Sequence, residues 1–166
     1  MNNLVIDLTH GGVKIAISLA KEGENVFAYD LYNTLNSIDS KLLDVYNVKL
    51  IRLSDLADLK GDITIIYPIH MPLSFEEVES CNSNLNYTFK SHHEIMKELL
   101  IDWGEDIVKI EVTGVKGKTT SVFMLKEILI DKNPLILSSL GALLYENRKE
   151  IILKKNISIA PANIKE

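Results

Sequence analysis

The sequence predicts an α/β chain in two parts, a Rossmann-like parallel sheet with helices on both faces over residues 1–104, and the start of a P-loop ATPase domain over 105–166. Three observations carry this. Short apolar runs alternate with stretches of helical period at an interval suited to strand–helix–strand crossovers. Trp103-Gly104 breaks that alternation, so the boundary falls at 102–106. A new apolar run then leads into a glycine-rich turn and another helical pattern.

Leu4-Val5-Ile6 reads as the first strand. Val13 to Glu22 follows as a helix with Val13, Ala16, Ile17 and Ala20 on one face, stopped at Gly23. Asn25 to Asp30 is the second strand, Ile38 to Tyr46 a helix, and Val48 to Ile51 the third strand. Ser54 is placed to cap a short helix ending near Gly61. Asp62 to Tyr67 forms the fourth strand, closed by Pro68. Ser74 to Glu77 and Ser91 to Glu94 both have capping-box spacing, with a fifth strand at Tyr87-Thr88-Phe89 between them. Beyond the boundary the pattern predicts a strand from Ile107 to Val112, a helix from about Lys118 to Ile130, and a strand at Leu135 to Leu137. A hairpin of Ala142–Tyr145 with Ile151–Lys154 turns around Glu146 to Lys149.

With 46% hydrophobic and 25% charged residues in 166, the composition is that of a folded globular chain. Cys81 is the only cysteine, which excludes an intramolecular disulfide and a cysteine-built zinc site and fits a reducing compartment. It lies in a polar, Asn-rich stretch without a basic neighbour, which argues against catalysis. A net charge of −5 repels phosphate backbones, so no nucleic-acid partner is expected. No apolar run approaches the roughly 20 residues needed to span a bilayer, and the N-terminus lacks signal-peptide layout. The cytoplasm is the expected location, with no membrane partner, and oligomeric state is left open.

The segment richest in chemistry is Ile110 to Thr120. An apolar run enters a loop containing Gly114 and Gly117, and Lys118-Thr119-Thr120 opens a helix, the layout of a phosphate-binding loop. Gly114 and Gly117 let backbone N–H groups turn inward around phosphate oxygens, and the helix start adds its positive dipole end. Thr113, Gly114, Val115, Lys116, Gly117, Lys118, Thr119 and Thr120 would thus hold ATP. Lys118, the catalytic candidate, reaches the β- and γ-phosphates, and the Thr119 hydroxyl ligates Mg2+. Val112 stands where the general motif has its first glycine, and an ordinary Gly-rich βα turn is the bland alternative.

Thr113-Gly114 to Gly117-Lys118-Thr119-Thr120, without that first glycine, resembles the ATP loop of the Mur ligase family of ATP-dependent carboxylate ligases. Val115 and Lys116 depart from the Thr/Ser-Asn usual there. The resemblance spans the chain in domain order and is specific over Thr113 to Thr120. It implies transfer of the γ-phosphate of ATP to a substrate carboxylate, then attack of a nucleophile on the acyl phosphate. Asp7–Gly12, Asp30–Thr34, Tyr67–Pro72, Ser91–Glu94 and Val115–Lys118 are similar to an archaeal branch that closes the last ring of the nickel tetrapyrrole of methanogenesis. That implies a small-molecule carboxylate substrate, a nickel tetrapyrrole. An archaeal pseudomurein peptide ligase is the alternative within the family.

Open parallel sheets bind ligands at the carboxyl ends of their strands. His10, Gly11 and Gly12 follow the first strand, and Asp30 and Tyr32 the second. His70 lies between two prolines after the fourth strand, and His92 and His93 follow the Ser91 cap. These eight residues are the substrate-binding candidates. The competing readings are a tight βα turn at the glycines, a plain loop start at Asp30, and two solvated side chains at His92 and His93. Glu76, Glu77 and Glu79 are read as the first turns of a capped helix.

None of Glu127, Asp131, Glu146, Glu150 and Glu166 ends a long apolar strand, where a second magnesium carboxylate belongs. The chain is therefore expected to be the N-terminal portion of such a ligase and to turn over little by itself. A non-catalytic NTP-binding module and a Rossmann-type small-molecule binder remain as the readings from other classes.

Overall fold

The computed structural model describes residues 2–100 and 107–157, and the expected boundary at 102–106 lies outside them. Two compact units make up the chain, Met1–Trp103 and Gly104–Glu166.

The first unit is a five-stranded parallel sheet of β1 (Asn2–Ile6), β2 (Asn25–Tyr29), β3 (Lys49–Leu50), β4 (Asp62–Tyr67) and β5 (Asn86–Ser91), in the order β3-β2-β1-β4-β5. In register, Leu4 lies between Phe27 and Ile65, and β5 pairs with β4 along its full length. Central parallel strands are covered on both faces and so are apolar on both, as Leu4, Val5 and Ile6 are, all fully buried. On one face Leu4, Ile6, Phe27, Ile63 and Ile65 pack with Leu56 of the 3-10 turn Leu53–Asp58 and Val78 of α3 (Phe75–Glu79). On the other, α1 (Val13–Lys21) lies between α2 (Ser37–Val45) and α4 (His92–Leu99). These helices bury Ile15, Ala16 and Leu19, Leu43, and Ile95 and Met96.

Both capping boxes form. Ser74 Oγ accepts from Glu77 N and Glu77 answers Ser74 N at 2.7 Å; Ser91 and Glu94 repeat the exchange, with Ser91 N to Glu94 Oε2 at 2.7 Å. Ser54 does not cap its turn. The Asp55 carboxylate accepts Arg52 N at 2.8 Å, two residues before Ser54, so the turn starts at Leu53 and ends at Asp58. The third strand is shorter than expected, since it pairs only with β2 at the sheet edge and only over Lys49 and Leu50.

The second unit joins α5 (Lys118–Ile128) to an antiparallel sheet of β6 (Leu135–Ser138), β7 (Gly141–Glu146) and β8 (Lys149–Lys155). Asn147 and Arg148, both at positive φ (50° and 62°), make the two-residue hairpin turn. Val122 and Phe123 of α5 pack on Ile136, Leu143 and Tyr145. The strand expected over Ile107 to Val112 does not form; the segment is irregular. A parallel strand exists only through a ladder partner, and among the described residues this unit's sheet is antiparallel and built elsewhere. Ile107, Val108 and Ile110 stay exposed.

Candidate functional site

The strand order reverses at β1. The chain builds outward through β2 and β3, then crosses to β4 and β5, and the loops after β1 and β4 part at that switch point. Because all five strands are parallel, the loops holding His10, Asp30 and Tyr32, His70, and His92 and His93 share one edge of the sheet.

The loop after β1 is built on Asp7. This residue is fully buried and sits at φ 68°, ψ 101°, outside the regions ordinary residues occupy. Oδ1 accepts Thr9 N at 2.8 Å, and Oδ2 meets His10 Nδ1 at 2.6 Å. Leu8 to Gly12 form a π-helical turn, kinked at His10 and Gly11, that runs into α1. The His10 side chain is 66% exposed, and its ring stands edge-on to Tyr32 with centroids 6.1 Å apart. The Thr9 hydroxyl is hydrogen-bonded to that of Thr34. Thr9, His10, Tyr32 and Thr34 therefore tie the first two strand-end loops together. Asp30 shapes the second of them, Oδ2 accepting Leu35 N at 2.8 Å, while Oδ1 is enclosed without a hydrogen-bond partner.

His92 is not a solvated side chain. It is 3% exposed, and Nε2–H donates to the Ile6 carbonyl at 3.0 Å, because the first residue of α4 turns inward over the end of β1. Burial pushes its imidazole below the ordinary range, against the opposing pull of the Ile6 carbonyl and the Asp7 carboxylate. The unfolded chain takes up this proton near pH 6.5, whereas the folded chain takes it up only at lower pH. The stability His92 contributes is therefore complete above about pH 6.5 and falls as pH drops toward the depressed folded value, by up to about 1.4 kcal/mol per pH unit. Urea midpoints measured between about pH 7 and pH 5 should fall, and His92→Gln, which can still donate to Ile6, should flatten that fall; an unchanged slope would refute it.

His93 and His70 are exposed, His93 in the first turn of α4 and His70 in the loop after β4. Among the described residues no three His, Cys, Asp or Glu side chains come together as a metal site. Tyr67, Phe75 and Phe89 cluster beside the His70 loop, Phe75 stacking on Phe89 at 4.3 Å. Asp7 is the residue the sequence candidates lack. Its signal is an acid directly after an apolar strand, three residues before a histidine and followed by two glycines.

In the second unit, Gly114 at φ 144° and Gly117 at φ 79° turn the chain ahead of α5. Lys118 folds back so that its ammonium donates to the Gly114 carbonyl, which holds the cation over the loop. No side chain caps α5, whose first helical bond runs from Ser121 N to the Gly117 carbonyl at 2.9 Å. The N–H groups of Lys118, Thr119 and Thr120 thus lack a helical acceptor, the arrangement that binds anions. Thr113, Val115, Lys116 and Thr119 are exposed around them.

No protein-family profile matches the chain. It is 32% identical over 165 residues to a coenzyme F(430) synthetase of Methanosarcina acetivorans, a match covering 96% of this chain and 34% of that protein. It is 26% identical over 135 residues to a coenzyme F(430) synthetase of Methanocaldococcus jannaschii, covering 78% and 31%. The chain spans about a third of the length of these curated relatives. Among the described residues no helix is long and apolar enough to cross a membrane.

Proposed function

We propose that the chain works as part of an ATP-dependent ligase of the Mur type, which activates a carboxylate of a nickel tetrapyrrole for closure of its last ring, the activity of a coenzyme F(430) synthetase. The observation that carries the reading is the loop from Thr113 to Thr120, where a lysine ammonium is held against the Gly114 carbonyl and the helix start has no side-chain cap. The similarity to two coenzyme F(430) synthetases supports it.

The residues present fit a Mg2+-bound triphosphate. The two glycines accept the positive φ values of a backbone wrapped around an anion, and the ammonium already lies over the turn. Thr113 to Gly117 would surround the phosphates with backbone N–H groups, and Lys118 would neutralise the β- and γ-oxygens. Thr119 would supply a hydroxyl to magnesium. ATP, when bound, supplies the phosphoryl group that turns a carboxylate into a good acyl donor. In the first unit, the strand-end loops with His10, Tyr32, His70 and His93 would hold the acidic substrate, and Gly11 and Gly12 would keep the first loop tight.

The test is ligation by the protein that also carries the remaining two thirds found in the relatives. Incubation with ATP, Mg2+ and the uncyclised nickel tetrapyrrole is expected to yield ADP, phosphate and a product lighter by one water, in equal amounts. Mg-ATP binding without any such product would overturn the ligase reading and leave a nucleotide-binding module.

A further inference from the structure

We propose that Asp7 and His10 form a carboxylate-binding dyad in which Asp7, a positioning residue, fixes the His10 ring so that Nε2 is presented to a carboxylate of the substrate. The inference rests on the reading that the strand-end loops of the first unit hold an acidic ligand. It adds how that ligand is gripped and why a strained residue stands beside it.

A non-glycine residue at φ 68°, ψ 101° is strained and persists only where its surroundings impose it. Here the conformation places a fully buried carboxylate between Thr9 N–H and His10 Nδ1, so both of its oxygens are engaged. The bond to Asp7 fixes Nδ1 as the protonated nitrogen facing the protein. Nε2 is left to make the outward contact from a side chain two-thirds exposed at the switch-point edge. Tyr32, edge-on to the ring, restricts its rotation from the second loop. With a buried anion on one side, a proton on Nε2 makes the ring a cation with one donor left over, which matches a ligand carboxylate. The titratable groups facing His10 are Asp7 from its own loop, Tyr32 from the loop after β2, and His92 from the start of α4. Of these Asp7 alone is an anion within contact distance. The nearby His92 donates to Ile6 and is disfavoured as a cation by burial.

The dyad predicts binding that requires a protonated His10, tested on this 166-residue chain with coproporphyrin, a tetrapyrrole bearing four carboxylates, as probe. Binding followed by fluorescence should weaken at least about tenfold between pH 6 and pH 8, the worth of one charge-assisted hydrogen bond. His10→Gln should remove that pH dependence and bind at the weak, high-pH level throughout. Asp7→Asn keeps an acceptor for Thr9 N–H and a residue type that tolerates positive φ. It should bind about tenfold more weakly at pH 6, with an unchanged circular dichroism spectrum. At pH 8 the neutral His10 ring, read by long-range 15N–1H NMR, should show Nδ1–H in the free parent and lose that preference in Asp7→Asn, which a purely structural role for Asp7 would not require. A cationic porphyrin, tetra(N-methylpyridyl)porphyrin, should not compete. Equal binding of the cationic macrocycle, pH-independent binding, parent-like binding by His10→Gln, or an Nε2–H tautomer in the parent would each overturn the dyad. Failure of the ligase reading is seen separately, as loss of Mg-ATP-dependent product with the coproporphyrin and NMR results unchanged.

Discussion

Lys118→Ala is expected to weaken Mg-ATP binding tenfold to a hundredfold, measured by isothermal titration calorimetry with the 166-residue chain. Lys118 is the side-chain cation that the loop itself orients, its ammonium lying against the Gly114 carbonyl. On the proposed reading, a bound triphosphate would exchange that contact for charge-assisted bonds to phosphate oxygens, each worth about 1.5–3 kcal/mol. That range converts to the stated loss of affinity. Lys118 is only partly buried, so alanine should leave the fold intact, and the circular dichroism of the variant should match the parent. The backbone N–H groups of α5 remain, which is why weakened binding is expected rather than none. Equal affinity of Lys118→Ala and the parent would dispose of the phosphate-loop assignment, and with it the ATP-dependent reading.

The architecture of the first unit was legible because its cues are local and agree with one another. Leu4-Val5-Ile6 is apolar on both faces, as a central strand of a parallel sheet is, and Ser74 to Glu77 and Ser91 to Glu94 each announce a helix start within four residues. Where the outcome differed, the deciding partner was distant or a stronger local group intervened. Ser54 lost its cap to Asp55, whose longer reach satisfied Arg52 N instead. Ile107 to Val112 has the composition of a strand, but composition creates no ladder without a neighbour.

The site was legible to a lesser depth. Placing His10, Asp30, Tyr32, His70, His92 and His93 along one edge follows from strand order alone, because every strand is parallel. What each side chain does there does not follow from it. His92 and His93 are adjacent in sequence, yet a rotation of about 100° per helical residue sends the first inward to Ile6 and leaves the second in solvent. Asp7 was hidden for a similar reason. An acid after a strand reads as a loop residue, and only the fold shows that its backbone turns back far enough to bury the carboxylate beneath His10. The candidate loop from Thr113 to Thr120, by contrast, is contiguous, so its residues could be proposed without knowing the rest of the unit.

Gly12→Ala is expected to destabilise the first unit strongly, and the reason lies in the same turn. Gly12 has ordinary helical angles, φ −59° and ψ −34°, so alanine adds no backbone strain and the cost is purely steric. A Cβ at this position would stand 2.0 Å from the Asp7 carbonyl oxygen, 3.0 Å from its carbonyl carbon and 3.3 Å from Val5 Cγ1. Contacts of that kind with backbone cannot be relieved by a rotamer change. Nor can Asp7 retreat easily: its N–H donates to the Tyr29 carbonyl at 3.2 Å and its carboxylate is held by Thr9 and His10. Forcing extra volume into a packed site costs typically 1–3 kcal/mol, and an overlap with main chain belongs at the top of that range. For a unit of about 100 residues this is a fall in melting temperature of roughly 12–24 °C. Whatever fraction stays folded must displace Asp7, so coproporphyrin binding at pH 6 should drop to the level of His10→Gln. A melting temperature within about 2 °C of the parent, less than 1 kcal/mol would produce, would mean that the loop after β1 yields to the new methyl group. The packing of Gly12 against Asp7 would then not be what holds the dyad in place.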